Sequence, residues 1–321
     1  MGEIDCSRYV FPPFSDLEYA VFKKDVNFFR ATFEGGVFFV HATFKRHVSF
    51  SGATFKGLAD FSLATFERGA GFNKATFKGP AGFGGATFKG CTEFNEATFE
   101  EDAEFGEAMF KESFEEEHSY VSFCGATFEG IADFEGMGEG FECIFYCDEL
   151  DFSNTEFRKG VFIDIPGECF KVPKAEAEAC RVQRISYERE GRKDDADRMF
   201  VRERRALKKA EVEEARANVS EVKEELKRLV ASSPRKVERV KAELKAWFNL
   251  IKATSNYLLA KGRSSLEFLL ADLTCEYGTN WKRPVILWIF LVFIIFPLLY
   301  FIFGGITGVS SPFHWITYTS A

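Results

Sequence analysis

The sequence is poor in the residues that usually carry chemistry. Four histidines occur among 321 residues, and no His-x-x-x-His, Cys-x-x-Cys or Gly-rich phosphate loop is present. That removes the common zinc, thiol-redox and nucleotide-binding signatures. The first ten residues, MGEIDCSRYV, lack the basic start and apolar run of a secretory leader. Gly2 is followed by Cys6 where a myristoylation signal wants Ser or Thr. Without an export signal the eight scattered cysteines (6, 91, 124, 143, 147, 169, 180 and 275) are expected as reduced thiols, not as a disulfide framework. Cys143 and Cys147 are the closest pair, with no histidine near them in sequence, which argues against a metal site. The residues therefore point to no enzyme, and no catalytic, cofactor-binding or metal-ligating residue is expected.

Phenylalanine is what the chain has in excess. Of 40 Phe, 30 precede residue 166. Charge divides at the same place: residues 1–165 hold 14 Lys+Arg against 29 Asp+Glu, whereas residues 166–321 hold 27 against 20. An acidic first half and a basic second half imply separate jobs.

An 11-residue repeat organises the first half. From Ala20 the units read AVFKKDVNFFR, ATFEGGVFFVH, ATFKRHVSFSG, ATFKGLADFSL, ATFERGAGFNK, ATFKGPAGFGG, ATFKGCTEFNE and ATFEEDAEFGE. A ninth unit, from Ala108, carries seven extra residues before Val121, and the register is expected to decay after the tenth, towards Phe162. Two residues before each Phe stands a small or β-branched residue, such as Ala53 before Phe55 and Val48 before Phe50. In an extended segment those two share a face, so each half-unit turns them inwards and leaves Thr or Asp between them in water. An 11-residue helical repeat would space its apolar residues by three and four, and the frequent Gly and Thr oppose a helix. The spacing predicts a chain that turns every five or six residues and stacks coils about 4.8 Å apart around ladders of Phe. His41, His47 and His118 share no register along it, and the acidic residues read as a solvated surface.

These units resemble the pentapeptide-repeat family over roughly residues 17–162, in its Phe-centred 11-residue variant. The resemblance implies a right-handed quadrilateral β-helix in which two units make one coil of 22 residues. It also raises the reading that an acidic solenoid mimics DNA and inhibits a topoisomerase. The insertion with Glu115, Glu116 and Glu117 is expected to loop out at a corner.

Beyond Val172 the composition turns to Ala, Glu, Lys and Arg. Helices are predicted over 173–190 and 194–230, joined at Glu190-Gly191-Arg192 with Gly191 ending the first. Tyr187, Gly191, Ala196 and Phe200 resemble a tetratricopeptide-type hairpin. Val212, Ala215, Val219, Val222, Leu226 and Leu229 form a seven-residue stripe. After Ser233-Pro234 a second stripe runs through Val237, Val240, Leu244, Trp247 and Ile251. The stripes suit a hairpin or self-association, and no basic–aromatic interleaving points to nucleic acid.

Residues 285–303, VILWIFLVFIIFPLLYFIF, contain no charge and are long enough to cross a bilayer. Lys282 and Arg283 precede the run and no Lys or Arg follows it, which predicts a single-pass protein of the cell membrane with its N-terminal region cytoplasmic. LADLTCEYGTNWKRPVILW and Phe313–Ser320 resemble the first transmembrane helix and pore-helix start of two-transmembrane potassium-channel-like subunits. That resemblance implies an ion-channel-like subunit whose solenoid is a sensor or assembly platform. The sequence ends at Ala321 before a TVGYG-type filter or a second span, so the expectation is either part of a longer channel or a one-span scaffold. The expected organisation is an N-terminal cap (1–16), the β-helix (17–165), a charged helical neck (166–262), a juxtamembrane helix (263–283), a transmembrane helix (284–304) and an extracytoplasmic segment (305–321). The partners implied are the lipid bilayer and other proteins or copies meeting the neck.

Overall fold

The computed structural model describes residues 2–112, 118–136, 142–232, 249 and 252–262. The chain divides into two compact units, 1–210 and 211–321.

In the first unit, short strands of two or three residues form four parallel sheets, which are the four faces of one coil. The first face begins at Ile4–Asp5, the second at Val10–Phe11, the third at Phe14–Asp16 and the fourth at Val21–Phe22. Each strand pairs with its counterpart one coil on: Thr54 sits beside Thr76 and Phe55 beside Phe77, 22 residues apart. The pairing uses backbone hydrogen bonds such as Thr76 N to Ala53 O at 2.8 Å and Phe50 N to Gly71 O at 2.7 Å. The turns every five or six residues are as the spacing predicted, and the four-sided, 22-residue coil is as the family resemblance implied.

The inward residues are those the spacing picked out. Ala53, Phe55, Ala59 and Phe61 are all fully buried. Each Phe stacks on the Phe one coil away: Phe55 on Phe77 at 4.7 Å and Phe61 on Phe83 at 5.1 Å, with planes within 4°. Neighbouring columns meet edge to face, as Phe50 does with Phe61 at 5.4 Å. Four columns of rings therefore interlock in the geometries that aromatic quadrupoles favour.

The start of the solenoid differs from expectation. Residues 1–16, expected as a cap, already form three faces of the first coil, since Ile4 pairs with Val26 and Val10 with Thr32. Cys6 and Leu17 stand where later coils have Phe, which conceals the repeat. At the other end the register does not decay. Thr92 pairs with Val121 and Met109 with Ile144, so an insertion of seven residues and a second of six are absorbed between strands. The pairing continues to Phe162. The inserted residues themselves, Glu115–Glu117 included, lie outside the described residues.

The last coil is closed by helix. Helix α1 spans Pro173–Arg189 and α2 spans Lys193–Ser232, with Gly191 between them at φ +75°. Pro173 opens α1 at a position where no N–H is needed. Ala175, Ala179 and Val182 join the solenoid core, and buried Gln183 accepts the Ile163 N–H at 2.7 Å through Oε1. Arg202 of α2 donates to Glu176 Oε1 at 2.8 Å and to Ile165 O at 2.6 Å. Cys180, Tyr187, Ala196 and Met199 form the small core of the hairpin.

In the second unit the α2 stripe is visible as half-buried Val212, Ala215, Val219 and Val222 among exposed neighbours, and residues 252–262 are helical. Leu226, Leu229 and the stripe from Val237 to Ile251 lie outside the residues whose side chains are described, as do the expected juxtamembrane helix, transmembrane helix and final segment. Among the described residues no helix is long and apolar enough to cross a membrane.

Candidate interaction surface

Because the interior is filled with rings, whatever the solenoid recognises must meet its corners and outward positions. The corners are of two kinds. Two of them end each 11-residue unit with a left-handed residue: Arg30, His41, Leu63, Lys74, Glu96 and Glu107 have φ between 54° and 59°, and Gly52 and Gly85 occupy the same position. A preceding side chain supports some of these turns, as Asp60 Oδ1 does by accepting the Ser62 N–H at 2.9 Å. The other two corners follow the second and fourth faces. Successive coils there approach so closely that a Cβ on Gly79 would lie 2.7 Å from the Gly57 carbonyl carbon.

Charge is arranged differently on those two close corners. After the second face, residues on successive coils pair as opposite charges two by two: Glu34 with Lys56 at 2.9 Å, Lys78 with Glu100 at 3.6 Å and Glu129 with Arg158 at 2.8 Å. After the fourth face stand Lys23-Lys24-Asp25, Lys45-Arg46-His47, Glu67-Arg68-Gly69, Lys89-Gly90-Cys91 and Lys111-Glu112. Seven of the 14 basic residues before residue 166 lie on this one corner.

Among the described residues two grooves bear on these corners. One, of about 510 Å³, opens where Gly84, Gly85, Gly106 and Gly136 supply no side chain, and is walled by Leu63, Glu104 and Glu107. The other, of about 360 Å³, runs beside the basic corner and is lined by Glu3, Asp25, His47, Gly69, Cys91 and Glu93 among others. His47 lies over Gly69, its Nδ1 being 3.1 Å from where a Cβ would stand. Above the groove Asn73, Glu93 and Tyr120 are hydrogen-bonded together, and Ser122 Oγ donates to Asn95 Oδ1 at 2.5 Å.

His47 and His118 both precede strands of the first face, but Tyr120 stands in the register of His47 and His118 falls two residues earlier, so the histidines share no register. His41 lies on another corner, stacked on Tyr19 at 4.9 Å. Among the described residues no three or more His, Cys, Asp or Glu are grouped to hold a metal ion.

The seven described cysteines are free thiols. Burial pushes the Cys143 thiol far up, and Cys147 and Cys180 up to about 12, so all three stay protonated near neutrality. A buried protonated thiol is a core residue and a poor nucleophile. Cys275 lies outside the described residues. Glu135 is the one described carboxyl held above its usual range, chiefly by burial and further by Asp164 and Asp133.

The family model for pentapeptide repeats (nine copies) matches residues 17–65, 28–76 and 72–113. The N-terminal region is thus a pentapeptide-repeat solenoid, and no family match covers the C-terminal segment likened to potassium-channel subunits. No curated protein and no solved structure matches the chain.

Proposed function

We propose that this pentapeptide-repeat chain is a non-enzymatic, membrane-tethered scaffold whose solenoid presents its corners to partners. The observation that carries the reading is the division of labour within the coil: inward positions repeat Ala and Phe without exception from Ala53 to Phe88, whereas corner residues change from coil to coil. Repetition inside gives a rigid support, and variation outside gives a surface that can be recognised. Convergent chemistry of the kind a reaction needs is not what such a ladder favours. The tether is residues 285–303, with Lys282 and Arg283 holding the solenoid on the cytoplasmic side.

The test is alkaline carbonate extraction of membranes from cells expressing the full chain, beside a variant lacking residues 285–303. The full chain is expected to stay with the membrane and the deletion variant to be released. Release of both would refute the tether.

The channel-like reading is favoured by the LADLTCEYGTNWKRPVILW stretch and Phe313–Ser320, and is a refinement of the same topology. Ion flux through bilayers carrying the reconstituted chain would support it. DNA mimicry fits less well, since a duplex is evenly anionic and this solenoid exposes Lys23, Lys24, Lys45 and Arg46 on its first coils.

A further inference from the structure

We infer that the basic corner after the fourth face is a docking edge for an anionic phospholipid surface. The 22-residue coil places Lys23, Lys45, Glu67, Lys89 and Lys111 in one column, with Lys24, Arg46 and Arg68 beside it. Lys23, Lys24, Lys45 and Arg46 are exposed, while Lys89 and Lys111 are half-exposed. None of these six forms an ion pair with a described carboxylate, although Asp25, Glu67, Glu112 and Asp148 lie on the same corner and Glu115–Glu117 follow Lys111 in sequence before the next strand.

The diagonally opposite corner is the internal control. There the equivalent residues Lys56, Lys78 and Arg158 are each neutralised by a carboxylate one coil away. The same fold and repeat thus give one self-neutralised edge and one whose first two coils, Lys23-Lys24-Asp25 and Lys45-Arg46-His47, carry an excess of positive charge. A row of like charges a few Å apart repels itself in the free protein, and an anionic partner relieves that repulsion.

The shape of the row selects the partner. Its coils stack at the strand spacing of about 4.8 Å along a straight edge, with Lys23 and Lys45 on adjacent coils and Lys89 and Lys111 on adjacent coils beyond Glu67. A lipid leaflet offers mobile anionic headgroups to a straight edge without demanding a phosphate spacing. Nucleic acid readers instead add aromatic stacking or a groove-following element, and none of the four triplets from Lys23 to Cys91 contains Phe, Tyr or Trp. The charge also sits where a surface can reach it. Residues 1–50 hold six Lys+Arg and six Asp+Glu, whereas residues 51–165 hold eight and 23, so the cations of the first coils are least opposed by their own protein.

The inference uses the membrane tether only to supply a nearby bilayer, and the test separates the two. The full chain is mixed with nanodiscs of neutral phosphatidylcholine or of phosphatidylcholine with about one-third phosphatidylglycerol, and acetylation rates of individual lysines are read by mass spectrometry. Lys23, Lys24, Lys45, Lys89 and Lys111 are expected to react about fivefold more slowly on anionic discs. Lys56, Lys74 and Lys78 should be unchanged, and about 0.5 M salt should erase the difference. The quadruple variant Lys23→Glu, Lys24→Glu, Lys45→Glu, Arg46→Glu should lose the protection of Lys89 and Lys111 while keeping the wild-type circular-dichroism spectrum.

Association with both disc types and equal lysine reactivity overturns the docking edge and leaves the tether standing. Protection on anionic discs without association with neutral ones supports the edge and sinks the tether. Failure to associate with either overturns both. Stronger protection by duplex DNA than by anionic discs overturns the lipid assignment.

Discussion

Removing one ring from the middle of the stack should cost far more than removing one from its end. Phe77 is fully buried, stacked at 4.7 Å on both Phe55 and Phe99, and touches Phe83 edge-on with centroids 6.0 Å apart. Phe77→Ala therefore loses the transfer energy of a buried ring and leaves a cavity between two coils that backbone pairing holds at fixed spacing, a cost of about 3–5 kcal/mol. Phe11 stands on the first coil, is half-buried, and stacks on one side only, on Phe33 at 4.5 Å. With roughly half the burial and no enclosed cavity, Phe11→Ala should cost about 1.5–2.5 kcal/mol. Urea unfolding of the full chain in detergent, followed by far-ultraviolet circular dichroism, should resolve a gap of about 2 kcal/mol between the variants. Equal unfolding free energies would refute the stacked-column account, because end and middle rungs could then not differ in what they hold together.

Three further substitutions probe the corners and a fourth probes a half-buried carboxyl. Gly79→Ala should lower stability by about 1–3 kcal/mol, because the new Cβ meets backbone at 2.7 Å. Gly84→Ala, whose Cβ would lie 3.7 Å from the Gly106 oxygen, should melt like the parent. Leu63 is exposed and left-handed at φ 59°, so Leu63→Asn should raise the melting temperature by relieving about 1 kcal/mol of backbone strain; a lower melting temperature would count against that. For Glu135 the folded carboxyl is held above its usual value, so its protonated form favours the fold. That contribution is present below the unfolded pKa, near 4.5, and fades as pH rises through the folded one. Glu135→Gln, which keeps an oxygen to accept the Asp164 N–H at 2.8 Å, should be more stable than the parent at pH 7. The difference should vanish at acidic pH, and denaturant midpoints across pH check the sign.

Most of the solenoid was legible because its core uses one residue type at one spacing. Ala53 and Phe55 advertise their burial through repetition, and Gly191 and Pro173 mark helix ends through backbone chemistry that needs no tertiary context. The first coil escaped notice because Cys6 and Leu17 fill ring positions at an end where less filling is required. The last coils escaped because insertions defeat counting while leaving strand pairing intact, as Met109 beside Ile144 shows. The basic corner was hidden for a geometric reason. Lys45 and Lys56 occupy the same place in consecutive ATFK units, yet the coil sends them to opposite edges. Net charge averages over that distinction, so the contrast between a paired and an unpaired edge exists only once the chain is wound.

The half-turn unit also sets how such a molecule can grow or shrink. Deleting two adjacent units, such as residues 53–74, shortens the column by one storey and leaves every later side chain over its old neighbour column. Deleting one unit keeps the Ala–Phe interior continuous but swings everything beyond it by half a revolution. Lys89 would then stand above Lys56, and the sequence downstream would face the opposite way. Odd and even changes in unit number are therefore unequal events for this chain: both conserve the hydrophobic stack, and only the even ones conserve which way it faces.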